Sequence, residues 1–532
     1  MAAATPTAGP AAGSAAPDSE RVDPRRMIAF IAMVLGMFMS ILDIQVVSAS
    51  LAEIQAGLSA GSDEIAWVQT AYLIAEVIMI PLSGTLARII STRYLFAICA
   101  AGFTASSALC ATATNIDQMI VYRAMQGFIG GGMIPSVFAA AFTIFPPSKR
   151  NVISPIIGLI ATLAPTIGPT VGGYLSDAFS WHWLFLINIG PGILVTLVTW
   201  NFIDFDKPEL SLMKKFDWWG LLGMAVFLGA LEYVLEEGNT NDWFNDGYIV
   251  IAAIASAIGG VIFFFRAFTA SFPIVDLKAF ANKNFSFGSV FSFVMGIGLY
   301  GLTYVYPLYL GRIRGYDSLM IGETMFVSGL AMFCTAPVAG MLSSKLDPRI
   351  IMAAGFIFFA AGTWIMTSIT TDWDFWELLI PQILRGVGLM LCMVPINNIA
   401  LGTMAPERMR GASGLFNLTR NLGGAVGLAI INTVLTTRQD LHYMRLRENI
   451  NWGNPVAVDQ LNSMAANYNA HGMDGSNVAV RTMVNLTTKQ AMVMSFSDVF
   501  MILTVLFTLM LIGVAMISKP KPPPKGAPAG GH

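Results

Sequence analysis

The sequence predicts an all-α membrane protein with fourteen spans, arranged as two related six-helix bundles with two inserted helices between them. Three observations predict this. Hydrophobic residues make up 55% of the 532-residue chain and charged residues 12%, about half the usual soluble share, with a mean hydropathy of +0.65. Apolar stretches long enough to cross about 30 Å of hydrocarbon recur fourteen times. One motif also occurs twice: Pro81-x-x-Gly84-x-Leu86 followed by Arg93 returns as Pro337-x-x-Gly340-x-Leu342 followed by Arg349, at a constant offset of 256.

Residues 1–20 are Ala, Pro, Gly, Ser and Thr with two acids, the composition of a disordered tail rather than a signal peptide. Spans are expected at 27–49, 65–87, 94–114, 117–145, 151–175, 183–203, 217–235, 247–266, 286–310, 319–343, 350–370, 376–403, 411–436 and 495–517. The tail at 518–532 reads like the first. Basic residues test this assignment, because cytoplasmic connections collect Lys and Arg. With both termini inside, 20 of the 30 basic residues fall on the inner side, and the short outer loops hold only Arg312 and Arg314.

Arg123…Pro135…Pro147 is echoed by Arg385…Pro395…Pro406, which makes spans 1–6 and 9–14 two versions of one bundle. The expected division is therefore 27–203, an inserted segment 204–284 with two spans, and 285–517 with an outer loop at 437–494. Parallel repeats of this kind place a binding site between the halves.

Composition also excludes function classes. A net charge of −2 gives no basis for nucleic-acid binding. The four cysteines lie in apolar segments without C-x-x-C spacing, and four histidines give little basis for a metal centre. No Gly-Lys dipeptide occurs, which removes the P-loop. No metal and no cofactor is expected.

The stretch from Asp117 to Tyr174 breaks the rules of ordinary hydrophobic helices. Its first span carries Arg123, although a charge at mid-membrane costs about 2.5–3.5 kcal/mol on insertion scales. Arg123, Gln126, Gly127, Gly130 and Gly131 share one helical face. Its second span places Gly158, Thr162, Pro165, Pro169 and Gly172 on one face. A polar stripe beside a smooth, kinkable one suggests a moving interface beside a polar cavity.

The R-x-x-Q-G pattern of Arg123–Gly127 and the G-P-x-x-G-G pattern of Gly168–Gly173 resemble signatures of the major facilitator superfamily, in its fourteen-helix drug:proton antiporter branch. The resemblance implies proton-driven export by alternating access and marks Pro165, Gly168, Pro169, Gly172 and Gly173 as the antiporter motif. Gly84, Leu86, Arg88 and Arg93 resemble the inner gate motif, with Arg88 where Asp is usual and Ser91 where Gly is usual. The charge latch of that gate must be made differently here.

Asp43, in Ser40-Ile-Leu-Asp43-Ile-Gln45, resembles an acidic motif of the same branch. Glu76 shares a face with Gln69 and Tyr72, and Arg123 is the natural partner for either acid. Asp43, Glu76 and Arg123 are the candidate proton-coupling set, because burial disfavours a carboxylate's charged form and a nearby guanidinium favours it. The competing reading is a permanent ion pair that orients helices. Glu236 and Glu237 are expected to be solvated, and Glu232 to sit outside the two bundles. Candidate cavity residues are Trp67, Gln69, Tyr72, Gln126, Tyr300, Tyr304, Asn397, Asn398, Asn417 and Arg420. For Arg420, hydrogen-bonding of helix ends competes with substrate contact.

Local stretches such as Trp181-His-Trp183 through Asn188, Asn241–Phe244 and Pro406–Ser413 are similar to the EmrB/QacA-like members, closest to EmrB-type pump subunits. This implies a bacterial inner-membrane protein that works with a periplasmic adaptor of the membrane fusion (EmrA-like) type and an outer-membrane channel. Hydrophobic small molecules, protons and the lipid bilayer complete the expected partners. The long polar outer connection is where an adaptor could dock, or a cap over the outer vestibule. Two other functions stay open: a proton symporter importing a metabolite on the same fold, and a membrane-embedded lipid-modifying enzyme.

Overall fold

The computed structural model describes residues 23–471 and 473–517; the tails expected at 1–20 and 518–532 lie outside the described residues. Among the described residues, fourteen helices are long and apolar enough to span a membrane. Spans 1–6 are Pro24–Ser48, Trp67–Ile90, Thr92–Ala111, Ile116–Ile144, Val152–Ala178 and Trp183–Phe202. Spans 7 and 8 are Trp218–Glu237 and Gly247–Thr269. Spans 9–14 are Lys283–Arg314, Leu319–Lys345, Pro348–Met366, Phe375–Gly402, Met409–Glu448 and Gly475–Met516. No strand occurs among the described residues.

Side-chain caps set where many of these helices start. Asp23 accepts from the Arg25 backbone N–H at 2.9 Å, with Pro24 at the first helical position. Asn115 caps span 4 through Gln118, and Asp317 caps span 10 through Met320. At span 12 Asp374 and Glu377 form a reciprocal capping box. Span 4 breaks into Ile116–Gly130 and Met133–Ile144, at the run Gly130-Gly131-Gly132. These glycines let span 4 touch the backbone of span 2, where a Cβ on Gly131 would stand 2.9 Å from the Glu76 carbonyl oxygen.

The repeat in the sequence is a repeat in packing. Span 1 packs on spans 5 and 6, span 2 on span 4, and span 3 on spans 4 and 6. Eight spans later, 9 packs on 13 and 14, 10 on 12, and 11 on 12 and 14. The halves meet through two equivalent pairs, span 2 on span 13 and span 10 on span 5. With an even number of spans the two ends of the described chain, Asp23 and Ile517, lie on one face, here called the terminal face; the opposite one is the far face.

The structure corrects two expectations. The connection expected as an outer loop at 437–494 is mostly helix. Span 13 runs 40 residues to Glu448, a separate helix covers Pro455–Ala470, and span 14 begins at Gly475. Forty residues reach about 60 Å at 1.5 Å per residue, twice the hydrocarbon thickness. Polarity ends the membrane-embedded part but not the helix, because no Gly or Pro occurs between Leu428 and Trp452. Second, the inserted pair does not stand apart from the two halves. Span 7 packs on span 8 and also touches spans 2 and 13, one from each half.

Candidate functional site

Asp43 and Arg123 meet in the interior with no side-chain exposure, Arg123 Nη1 lying 2.6 Å from Asp43 Oδ2. Asp43 Oδ1 accepts from Asn188 Nδ2 at 2.7 Å and Gln126 Nε2 at 3.1 Å. Arg123 Nη1 also donates to Gln126 Oε1, its Nε donates to the Val68 carbonyl, and its guanidinium stacks 4.3 Å above the Tyr72 ring. Such additional bonds help a buried pair of charges to be tolerated, with Arg123 Nη2 the one guanidinium nitrogen left without a partner. Spans 1, 2, 4 and 6 therefore converge on one polar knot. Asn188, which completes the knot, was not singled out from the sequence as a site residue. The signal was an amide inside an otherwise apolar segment.

Glu76 is not in that knot. It lines a chamber of about 430 Å³ in the far half of the molecule, between spans 1, 2, 5, 7, 9 and 13. Of the residues singled out from the sequence, Gln69, Glu76, Pro169, Tyr300 and Tyr304 line the chamber. Glu232 and Glu236 also line it, contrary to the expectation that span 7 lies outside the halves. Glu237, expected to be solvated, is buried and accepts from Thr70 Oγ1 at 2.9 Å. The cause is the docking of span 7 on span 2, where Trp67 stacks on Tyr233 at 5.5 Å.

The other candidates lie elsewhere. Tyr72 and Gln126 belong to the Asp43–Arg123 knot. Asn397 accepts from Arg420 Nη2 at 3.3 Å, while Asn398 accepts from Ser154 Oγ at 2.6 Å. Asn417 donates to the Ser413 carbonyl of its own helix. Arg420 sits against the rings of Phe138 and Phe416, at 5.1 and 5.3 Å, rather than at a helix end.

The antiporter motif packs span 5 onto span 1 next to Asp43. A Cβ on Gly168 would overlap the Gln45 side chain, and one on Gly172 would stand 2.6 Å from the Val46 carbonyl oxygen. Pro165 and Pro169 lie within this helix, and Gly173 follows directly after the contact.

On the terminal face the halves are sealed together. A Cβ on Gly84 would stand 2.7 Å from the Arg410 carbonyl oxygen, so span 2 rests on the backbone of span 13. Ser413 Oγ donates to the Pro135 carbonyl at 2.6 Å, and Thr85 Oγ1 donates to that of Ile274 at 2.6 Å. Leu86 packs on the core, Arg88 lies 4.9 Å from the Phe272 ring, and Arg93 sits between Tyr94 and Trp200. An acid absent from the stretch Gly84–Arg93 stands beside it in space: Asp206, in the connection after span 6. It accepts from the Thr92 backbone N–H at 2.8 Å, capping span 3, and pairs with Arg410 of the other half at 2.8 Å. Among the described residues no cluster of His, Cys, Asp and Glu has the arrangement of a metal site.

Two related sets of six spans, sealed on one face and enclosing a polar chamber toward the other, define a multi-pass membrane transporter. The chain belongs to the Major Facilitator Superfamily, whose family profile matches residues 33–428. It is 43% identical over 479 residues to the colistin resistance protein EmrB of Acinetobacter baumannii, covering 90% of this chain and 93% of that one. It is 30% identical to the fatty acid resistance protein FarB of Neisseria gonorrhoeae, across 95% of this chain and 98% of the relative. With the multidrug export protein EmrB of Escherichia coli K12 the identity is 28%, over 95% and 97%. Among solved structures, the human organic anion transporter MFSD10 shares the fold with a TM-score of 0.58 at 12% identity, covering 91% of this chain and all of that one.

Proposed function

We propose that this chain is a proton-coupled exporter of hydrophobic and amphipathic compounds, working by alternating access between the halves 27–203 and 285–517. The observation that carries the reading is Glu76: a buried carboxylate with one oxygen unpartnered, lining the chamber beside the closed Asp43–Arg123 knot. Of the acids on the two six-span halves, Glu76 is the one that lines the chamber, and on this reading it takes up and releases the proton. Asp43 holds Arg123 in place, and Arg123 acts on Glu76 as a fixed positive charge within electrostatic reach. The sealed terminal face and the far-side chamber make this the outward-facing state. Support for multidrug export as the task comes from the similarity to proteins named for multidrug export and colistin resistance.

On this reading the protein sits in a bacterial inner membrane with both termini cytoplasmic, and the segment 204–284 completes the chamber wall. The helical projection on the far face would meet a periplasmic adaptor leading to an outer-membrane channel. Each proton supplies about 2.3 kcal/mol per 100 mV and about 1.4 kcal/mol per pH unit, enough for export against a steep gradient. The test is substrate accumulation and proton release in inverted vesicles from a pump-deficient host. Wild-type protein should accumulate the compound only with an imposed proton gradient. Glu76→Gln should lose both signals while the purified variant stays monodisperse; gradient-driven uptake by Glu76→Gln would overturn the assignment.

A further inference from the structure

The inserted helices do more than fill space, a conclusion that rests on the chamber being the substrate site. Span 7 contacts spans 2 and 13, and the turn after it is tied to span 13 by Trp243 Nε1 donating to Thr433 Oγ1 at 3.2 Å. Span 7 therefore closes the gap between the two halves with its own side chains. Glu232 is one of these, only 5% exposed and lining the chamber with Oε2 unpartnered. Glu76, from span 2, also lines the chamber, is 2% exposed, and has Oε1 unpartnered. The two carboxylates are within electrostatic reach of each other. Glu236 lines the same chamber, and no Lys, Arg or His does.

We propose that span 7 builds a cation subsite into the chamber, in which Glu232 and Glu76 together hold the positively charged end of an amphipathic ligand. A buried carboxylate without a hydrogen-bond partner is costly, and a ligand cation supplies the missing donor or charge. Tyr300 and Tyr304 complete the match, since aromatic rings attract a cation through their faces and shelter its apolar body. Arg420 is held against Phe138 and Phe416 and bonded to Asn397, and Arg123 is paired with Asp43, so neither guanidinium is bonded to Glu232 or Glu76. The inserted pair is thereby a selectivity element that distinguishes ligands by charge sign, a task span 7 shares with Glu76 of span 2.

Equilibrium binding to the purified full-length protein tests this with two ions of nearly equal size and opposite charge, radiolabelled tetraphenylphosphonium and tetraphenylborate. Wild-type protein should bind the cation saturably and in preference to the anion. Glu232→Gln should weaken cation binding by about tenfold or more, the scale of losing one buried charge partner. Glu232→Asp should keep the preference, and Glu53→Gln, on an exposed helix outside the chamber, should change nothing. Equal affinity of wild-type protein for the two ions overturns the proposal without any variant, and so does an unaltered preference in a monodisperse Glu232→Gln. The assay needs no gradient and no direction of transport. Failure in vesicles with the cation preference intact would therefore sink export while leaving the subsite standing.

Discussion

Arg410, at the start of span 13, reaches Asp206 in the connection after span 6, its Nη1 lying 2.8 Å from Oδ2. Asp206 also caps span 3 through Thr92, so one carboxylate joins a helix N-terminus of the first half to a cation of the second. The Arg410 and Asp206 side chains are 22% and 8% exposed, which spares the pair the full solvent screening that weakens surface bridges. Asp206→Ala should remove a cap and a cross-half bond together, worth about 1–2 kcal/mol, a factor of about 5–30 in a two-state population. Spin labels at Glu209→Cys and Glu407→Cys in a cysteine-free background would read this as a new, longer distance. An unchanged distance distribution would leave the seal to backbone packing alone.

The knot around Asp43 makes a second prediction, about stability. Asp43→Asn leaves the Arg123 guanidinium buried without a counter-charge, at a cost of about 3–5 kcal/mol. Removing the charge on both sides, in Asp43→Asn/Arg123→Gln, should restore part of the loss, with a coupling of about 2–3 kcal/mol between the sites. Thermal unfolding of the purified variants should rank wild type, double variant, then single variants. Additive losses would mean that the two side chains do not depend on each other.

Much of this was legible from residues. Hydropathy and the basic-residue pattern gave fourteen spans, and the repeat at Pro81 and Pro337 foretold that span pairs recur eight positions on. Opposite charges at Asp43 and Arg123, both in oil, had few partners but each other. Glu232 was discounted because it lies in the inserted pair, expected outside the two bundles; its environment is made by docking, when spans 2 and 13 are brought against span 7. Asp206 escaped for a related reason, since it serves a motif more than a hundred residues away, at Gly84–Arg93. The helical projection was misread because polarity was given more weight than the missing helix breakers.

The close approach of spans 1 and 5 makes a steric prediction. At Gly172 an added methyl would stand 2.6 Å from the Val46 carbonyl oxygen, a backbone atom that cannot rotate away. Gly172→Ala should cost about 1–3 kcal/mol as overpacking and should depress transport, because it wedges span 5 away from the helix that carries Asp43. Gly190→Ala, on span 6, is the matched control, since nothing lies within 4 Å of the place its methyl would occupy. It should be neutral or slightly stabilising. Equal effects on the melting temperature at both positions would show that the Gly168–Gly173 contact is not what the motif provides.

The far-face projection carries the last prediction. The helices of spans 13 and 14 extend beyond the membrane and are bridged by Pro455–Ala470, which packs back on span 14, with Tyr468 Oη 3.1 Å from Thr482 Oγ1. The bridge leaves apolar side chains in water: Trp452 is 82% exposed and Val456 74%, beside a groove of about 340 Å³ that includes Leu461, Val480 and Met483. Monomeric proteins seldom leave a contiguous apolar patch uncovered. Replacing residues 449–474 by a short Gly-Ser linker removes the patch but leaves both spans their apolar segments, so insertion and the chamber should survive. If this projection docks the adaptor proposed above, the shortened protein should lose co-purification with it while still binding tetraphenylphosphonium. Retained co-purification would assign the projection to covering the chamber mouth. In that case the shortened protein should exchange ligand faster than the wild type, because the far end of span 13, through Asn432, already forms part of the chamber wall.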